Sequence, residues 1–242
     1  MHCFYLKEPI DGEQAAILDE DQLHHLRDVL RLKTGERITV FDATGREYLC
    51  SIADITKQQA QLQVVERKPV RPARFKLAVA CALSKHSGLD EIVDKLTQIG
   101  VDTLIPLLTE RVVVKSQEAR GARLERWRKI ARSAAEQSRR NTLPAIPGIW
   151  SLTELLSQSA EYDLKLVPTL EGDRQPLSQI IAKKRPASAL VLIGPEGDFT
   201  PQEVEQAVRA GFQPVTLGEN VLRVETAAVA VAAYLKLALM LL

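Results

Sequence analysis

Cysteine and histidine are scarce in this chain. Cys3, Cys50 and Cys81 are odd in number and far apart, which excludes a disulfide framework and points to a reducing, cytoplasmic setting. The histidines are His2, the adjacent His24 and His25, and His86. No spacing among these residues resembles a metal site, so no metal is expected. The formal net charge is only +1 at pH 7, so any affinity for nucleic acid has to come from local clustering and not from a whole-molecule field. The C-terminal apolar run spans about sixteen residues, short of the roughly 20 that cross a bilayer, and it contains Lys236. A buried or interface helix is the expectation there, with no membrane partner. The opening residues do not read as a signal peptide, and no internal repeat or low-complexity tract is present. What remains is ordinary globular composition, 45% hydrophobic and 26% charged, enough for one large domain or two modest ones.

The chain is organised around its last fifty-odd residues. Ala189-Leu190-Val191-Leu192-Ile193 is an unbroken apolar run, as a strand buried on both faces would be. Gly194-Pro195-Glu196-Gly197-Asp198-Phe199 follows, too rich in breakers for regular structure. Thr200-Pro201-Gln202-Glu203 then spells a helix start, with Thr as N-cap, Pro at the first helical position and Glu closing a capping box. Gly211 ends that helix. Pro214 to Leu217 is a second short strand, and Gly218 to Arg223 a second Gly-led loop. From about Thr226 the chain is helical and almost wholly apolar. Two strands each release a loop into a helix, so a small molecule fits at the loop tips.

The first loop is a poor phosphate cradle. Pro195 lacks an N–H, Glu196 and Asp198 repel an anion, and no Lys-Ser/Thr follows. Its glycine spacing also departs from the dinucleotide fingerprint. Backbone groups with carboxylates suit an uncharged nucleoside attached to a cation. S-adenosylmethionine, a sulfonium without phosphate, is such a ligand; a surface turn with a structural proline is the other reading.

Residues 1–70 read as a first unit. A strand at Phe4-Tyr5-Leu6 leads to a helix from Asp19 to Leu32, with Leu23, Leu26 and Leu30 on one face and His24, His25, Arg27 and Arg31 beside it. Strands at Arg37 to Phe41, Glu47 to Ile55 and Ala60 to Val65 follow, the first pair turned by Asp42-Ala43-Thr44-Gly45. Short strands with one helix suggest a small β-barrel. Lys68 to Arg74, with two prolines and three charges, reads as a linker. Residues 75–242 form the second unit. Phe75 to Leu83 is a strand, Ser84 to Gly88 a loop, Leu89 to Ile99 an amphipathic helix stopped by Gly100, and Thr103 to Leu107 a strand. This β-α-β order predicts a parallel pair. Ser84 and His86 have no third group to orient them, which argues against a nucleophile. A helix at Leu152 to Ser157 precedes a strand from Asp163 to Val167 that ends in Pro168-Thr169-Leu170-Glu171-Gly172, and Gln175 to Lys184 reads as helix.

The stretch from Arg111 to Arg140 holds ten Lys/Arg against three Glu, a local balance of +7. Ala119 to Ser138 is helical by pattern. A solvated face is the ordinary meaning of such charge, but Arg outnumbers Lys eight to two, which favours phosphate geometry.

Ile193-Gly194-Pro195-Glu196-Gly197, Leu217-Gly218 and Val221-Leu222-Arg223-Val224-Glu225-Thr226-Ala227 closely resemble the knotted SPOUT methyltransferases. Within them the chain is similar to the family that methylates N3 of a uridine in small-subunit (16S) ribosomal RNA. The Leu-Arg-x-Glu-Thr-Ala ending is the more specific of these motifs. The resemblance extends to His25 with Val29-Leu30-Arg31 and to Glu136-Gln137-Ser138-Arg139-Arg140-Asn141, and so covers nearly the whole chain. Two departures are visible: Asp198 and Gln98 stand where the family usually has Gly and Glu. The resemblance implies an α/β fold with a C-terminal SPOUT deep trefoil knot and an N-terminal PUA-like RNA-binding β-barrel. It implies S-adenosyl-L-methionine as cofactor, a homodimer whose second subunit completes the site, and 16S ribosomal RNA or the small subunit as partner. Arg223 and Glu225 are then the catalytic candidates. Pro168, Thr169, Gly194, Glu196, Gly197, Leu217, Gly218, Leu222 and Thr226 are the cofactor-binding ones. RNA contact falls to His25, Arg27, Arg31, Arg111, Arg120, Arg123, Arg128 and Arg140. Two alternatives stay open: a ribose 2′-hydroxyl methyltransferase of the same superfamily, and a non-catalytic RNA-binding assembly factor.

Overall fold

The computed structural model describes residues 2–69, 75–83, 89–111, 117–170, 172–183 and 185–240. The Ser84–Gly88 loop, most of the expected linker, Lys115 and Glu171 lie outside them. The chain divides into two compact units, Met1–Pro72 with Arg132–Leu143, and Ala73–Ala131 with Pro144–Leu242.

In the first unit, β1 (Cys3–Leu6), β2 (Gln14–Ile17), β3 (Arg37–Asp42), β4 (Glu47–Ile55) and β5 (Ala60–Arg67) form one sheet in the order β1-β3-β4-β5-β2. β1 runs parallel to β3, and the other pairs are antiparallel. Alternation along β4 sends Tyr48, Cys50 and Ile52 into a core with Phe4, Leu26, Ile38 and Leu62. Asp42 anchors the β3–β4 turn. Its carboxylate accepts from Thr44 N at 2.9 Å, Ile10 N at 3.2 Å and Tyr48 Oη at 2.9 Å. Burial pushes the Asp42 pKa up, but bonds from Thr44, Tyr48 and Ile10 outweigh it and hold the group below its ordinary value.

The expected helix to Leu32 has a different ending. α1 (Glu20–His24) begins at Asp19, which accepts from Gln22 N at 3.1 Å. After His24 the backbone widens into a π-turn, His25–Val29, with Leu30 N bonded to His25 O at 2.9 Å. Arg31 then takes φ 54°, and Leu32 N closes on Leu26 O at 3.1 Å, the left-handed stop that glycine usually fills. Leu23 and Leu26 are buried, while His24, His25 and Val29 are exposed. The Arg132–Leu143 segment also belongs to this unit. Glu136 accepts from Tyr5 N at 3.0 Å and from Gln22 Nε2 at 2.5 Å, and Arg132 Nη1 donates to Asp19 Oδ2 at 2.7 Å.

The second unit is a seven-stranded sheet of β6 (Lys76–Ala82), β7 (Thr103–Leu108), β8 (Trp150–Ser151), β9 (Leu164–Pro168), β10 (Gln175–Pro176), β11 (Ser188–Ile193) and β12 (Gln213–Thr216). The order is β10-β12-β9-β11-β6-β7-β8, and every pair is parallel. Gln175 and Pro176 thus end the sheet at one edge instead of opening a helix. The helices are α2 (Leu89–Ile99), α3 (Gln117–Ser138, whose end lies in the first unit), α4 (Leu152–Ser157), α5 (Leu177–Lys183), α6 (Pro201–Arg209) and α7 (Val224–Met240). Alternate residues of β6 serve two apolar layers. Leu77, Val79 and Cys81 join residues of α2, α3, α5 and α7, while Ala78 and Ala80 join Leu155, Ala207 and Phe212. That two-sided burial is why these strands read as continuous apolar runs.

β12 lies next to an edge, yet α7 packs on α2, β6 and β11 at the middle of the sheet. Residues 217–223 therefore carry the chain back across the strand ends, the return that a trefoil crossing needs. Lys236, 7% exposed, reaches Asp102 Oδ2 at 2.8 Å and Phe75 O at 3.4 Å and lies 5.7 Å from the Phe75 ring centroid. The one lysine of α7 is thus buried and tied to Asp102 and Phe75.

Candidate active site

β12, β9 and β11 are neighbours in a parallel sheet, so the loops leaving their C-terminal ends emerge side by side. Those loops, with the start of α2, enclose a pocket of about 1190 Å³, roomy enough for a cofactor-sized ligand. The sequence candidates Pro168, Thr169, Gly194, Glu196, Leu217, Gly218 and Leu222 all line it, together with Arg223 and Glu225. Gly197 and Thr226 are not in the lining; Thr226 is exposed on α7.

Each wall is held by a recognisable device. The α6 start forms as its residues dictate: Thr200 accepts from Glu203 N at 3.2 Å and Glu203 Oε2 accepts from Thr200 N at 2.8 Å. Buried Glu203 also accepts from Glu110 N at 2.8 Å. Gly194 is needed for contact within its own loop, since a Cβ there would come 3.1 Å from both Asp198 Oδ1 and the Phe199 ring. Gly218 differs: its Cβ direction is open, but its φ of 138° strains any side chain. Arg174 Nη1 donates to Thr169 O at 3.0 Å.

Among the described residues, six carboxylates line the pocket, those of Asp90, Glu91, Glu196, Asp198, Glu219 and Glu225, against the guanidiniums of Arg174 and Arg223. This donor set suits a cation and disfavours a polyphosphate. Asp90 is partly neutralised by Arg126 and accepts from Trp127 Nε1 at 3.0 Å; Glu91 pairs with Lys95. The hydrogen bond from Lys95 to Glu91, reinforced by the charge of Glu225, raises the Lys95 pKa. Among the described residues no ion pair joins Arg223 to Glu225, so the two are not held together as a structural pair at the start of α7.

Sequence reasoning missed Asp90 and Glu91. Only the sheet order, with β6 beside β11, brings the start of the helix that follows β6 to the pocket. The arginine candidates are placed diversely. Arg111 donates through Nη1 to Gly197 O and, at 3.2 Å, to Asp198 O, which ties it to the 194–198 turn. Arg128 engages Glu125 at 2.6 Å and Ile146 O at 3.1 Å, and Arg120 has a buried Nε with no hydrogen-bond partner among the described residues. Arg123 is exposed. In the first unit His25 and Arg31 are exposed, Arg27 forms a forked pair with Asp28 at 2.9 and 2.7 Å, and Arg140 Nε donates to Thr142 Oγ1 at 3.2 Å.

A parallel α/β domain with a loop-tip pocket of this polarity is the arrangement that an enzyme using a cationic nucleoside cofactor needs. Residues 71–236 match the RNA methyltransferase domain family, and residues 18–65 match its PUA domain family. The chain belongs to this family of RNA methyltransferases. It is 34% identical to the Synechocystis protein named Ribosomal RNA small subunit methyltransferase E, covering 89% of this chain and 70% of that one. It is 31% identical to the Bacillus subtilis protein of the same name, over 91% of this chain and 89% of the other. A solved Neisseria gonorrhoeae protein, also named Ribosomal RNA small subunit methyltransferase E and bound to S-adenosyl methionine, superposes with a TM-score of 0.88 at 31% identity, covering 98% of this chain and 97% of that chain. A putative methyltransferase from Legionella pneumophila in complex with the same cofactor gives 0.88 at 28% identity, with the same coverage.

Proposed function

We propose that this chain transfers the methyl group of S-adenosylmethionine to N3 of a uridine in small-subunit ribosomal RNA, acting as a homodimer in the cytoplasm. The observation that carries the reading is the convergence of three strand-end loops on one pocket with a threefold excess of carboxylates over guanidiniums. The lining residues Pro168, Thr169, Gly194, Glu196, Leu217, Gly218 and Leu222 fit an adenosine held by backbone groups, and the surrounding carboxylates fit its charged side. Bound there, the cofactor supplies an electrophilic methyl group on a sulfonium. N3 of uridine carries an imide proton at neutral pH. Arg223, at the mouth of α7, stabilises the negative charge that develops on the base carbonyls when that proton leaves. Glu225, two residues on and lining the same pocket, accepts the proton or orients Arg223.

RNA contact is assigned to the exposed His25 and Arg31 and to Arg27 and Arg140 of the first unit, and to Arg120, Arg123 and Arg128 of α3. Arg111 joins them with its remaining N–H groups. Charge reversal of Arg123 and Arg128 to Glu is expected to weaken RNA binding and flatten its salt dependence, with cofactor affinity unchanged. An unaltered salt slope would return α3 to an ordinary solvated face.

A homodimer is supported by the outer face of α7, where Tyr234 and Leu237 are 40% and 65% exposed, and by Val221 at 73% beside the pocket. Among the described residues no helix is long and apolar enough to cross a membrane. Titration calorimetry with S-adenosylmethionine tests the reading directly. The parent should bind, and Gly194→Val and Gly218→Val should each abolish binding, the first by displacing Phe199 and Asp198, the second by backbone strain. Sedimentation should show a dimer for all three. A parent chain that binds no cofactor removes the methyltransferase reading, and a monomeric parent removes the paired-subunit part of it.

A further inference from the structure

The geometry points to Asp198 as a positioning residue that ties two walls of the cofactor pocket together, an inference that rests on the S-adenosylmethionine reading above. Asp198 stands at φ 60°, where a side chain is strained and glycine is favoured. The turn itself is held by other groups. Asp198 N donates to Pro195 O at 2.9 Å, and Arg111 holds the carbonyls of Gly197 and Asp198. A turn made this way needs only a residue that accepts the left-handed conformation, so glycine would serve it best.

The carboxylate reaches further. Oδ2 accepts from Thr169 Oγ1 at 3.0 Å and from Leu170 N at 2.8 Å, on the loop after β9. Oδ1 accepts from Phe199 N at 2.8 Å, and the Phe199 ring lies against Gly194. One side chain therefore joins the 168–170 wall to the 194–199 wall, and both line the same pocket. The 168–170 segment is also tied to β12, by Thr169 N to Val215 O at 3.3 Å, but that bond does not reach the 194–199 segment, so the bonds of Asp198 set the distance between the two walls before a ligand arrives. Fixing that distance in advance lowers the ordering cost of binding.

Asp198→Gly separates this role from a structural one, because the two predict opposite signs. Glycine relieves the strain, so thermal stability is expected to hold or rise. The Kd for S-adenosylmethionine is expected to increase roughly tenfold with the loss of charge-assisted bonds. KM for the cofactor should follow Kd, with kcat changed by less than about threefold, since no group that touches the reacting atoms is altered. Asp198→Asn keeps one side-chain oxygen and tolerates the backbone, so its affinity should fall between the two. Adding Thr169→Val to Asp198→Gly should weaken binding little further, because both remove the same bond. Parent-like affinity in Asp198→Gly overturns the proposal and leaves the cofactor reading standing. Loss of stability and affinity together also overturns it, marking the carboxylate as structural. A parent that binds no S-adenosylmethionine overturns the reading itself, and this proposal with it.

Discussion

Replacing Arg223 by lysine is expected to lower kcat for methyl transfer by roughly 10²–10³, the scale of one lost preorganised donor. Lysine keeps the charge but loses the planar fork that can engage a carbonyl and a carboxylate together. Arg223 lines the pocket and is exposed, and no ion pair joins it to Glu225 among the described residues, so the substitution removes no structural bridge. Binding of cofactor and RNA should therefore change little. Raising the pH should partly restore the rate, because more uridine is then deprotonated without help from the protein. Single-turnover methyl transfer measured against pH, alongside thermal stability, tests this. A normal rate with a flat profile would remove Arg223 from the chemistry. A fall in stability without pH rescue would assign it to the helix start.

Breaking the Lys236–Asp102 pair is expected to destabilise the second unit by about 3 kcal/mol in Lys236→Ala, the lower end of the range for a buried pair. The lower end applies because the Asp102 side chain is 29% exposed and its charge is partly screened, whereas that of Lys236 is only 8% exposed. The loss should lower the thermal midpoint by about 6–12 °C. Lys236→Met keeps an apolar stem against Phe75 and removes the charge alone, so it should lose most of the same stability, since Asp102 loses its lysine partner in both variants. A loss confined to Lys236→Ala, with Lys236→Met near the parent, would show that packing of the stem, not the ion pair, holds α7 in place. Because α7 begins directly after Arg223, the same tie locates the catalytic candidate. Near the unfolding transition of Lys236→Ala, turnover is expected to fail before cofactor binding does.

Local chemistry wrote much of this molecule where residues act on their neighbours. Thr200, Pro201 and Glu203 form the α6 start they spell, since a capping box is satisfied within four residues. The apolar run from Ala189 to Ile193 is the buried central strand its composition requires. The motif ending Leu222-Arg223-Val224-Glu225 could be recognised outright, and its residues line the pocket together with the Gly194–Glu196 and Leu217-Gly218 loops.

Other features were decided only in three dimensions. Nothing near Asp198 in the chain announces Thr169 and Leu170 as its partners, 29 and 28 residues away; the parallel order of β9 and β11 brings them together. Arg111 looked like part of a basic stretch, yet the fold turns it onto the carbonyls of Gly197 and Asp198. The widened turn at His25–Val29, closed by Arg31 in the left-handed region, breaks a pattern that reads as ordinary helix. The sequence by itself determined the central strands, most helices, the cofactor loops and the family, all set by short-range propensity and motif, but not the edge strand at Gln175-Pro176. Tertiary structure alone decided which carboxylates face the pocket, which arginines are committed to backbone carbonyls, and where Lys236 of α7 is buried, because each depends on groups that only the folded sheet makes neighbours.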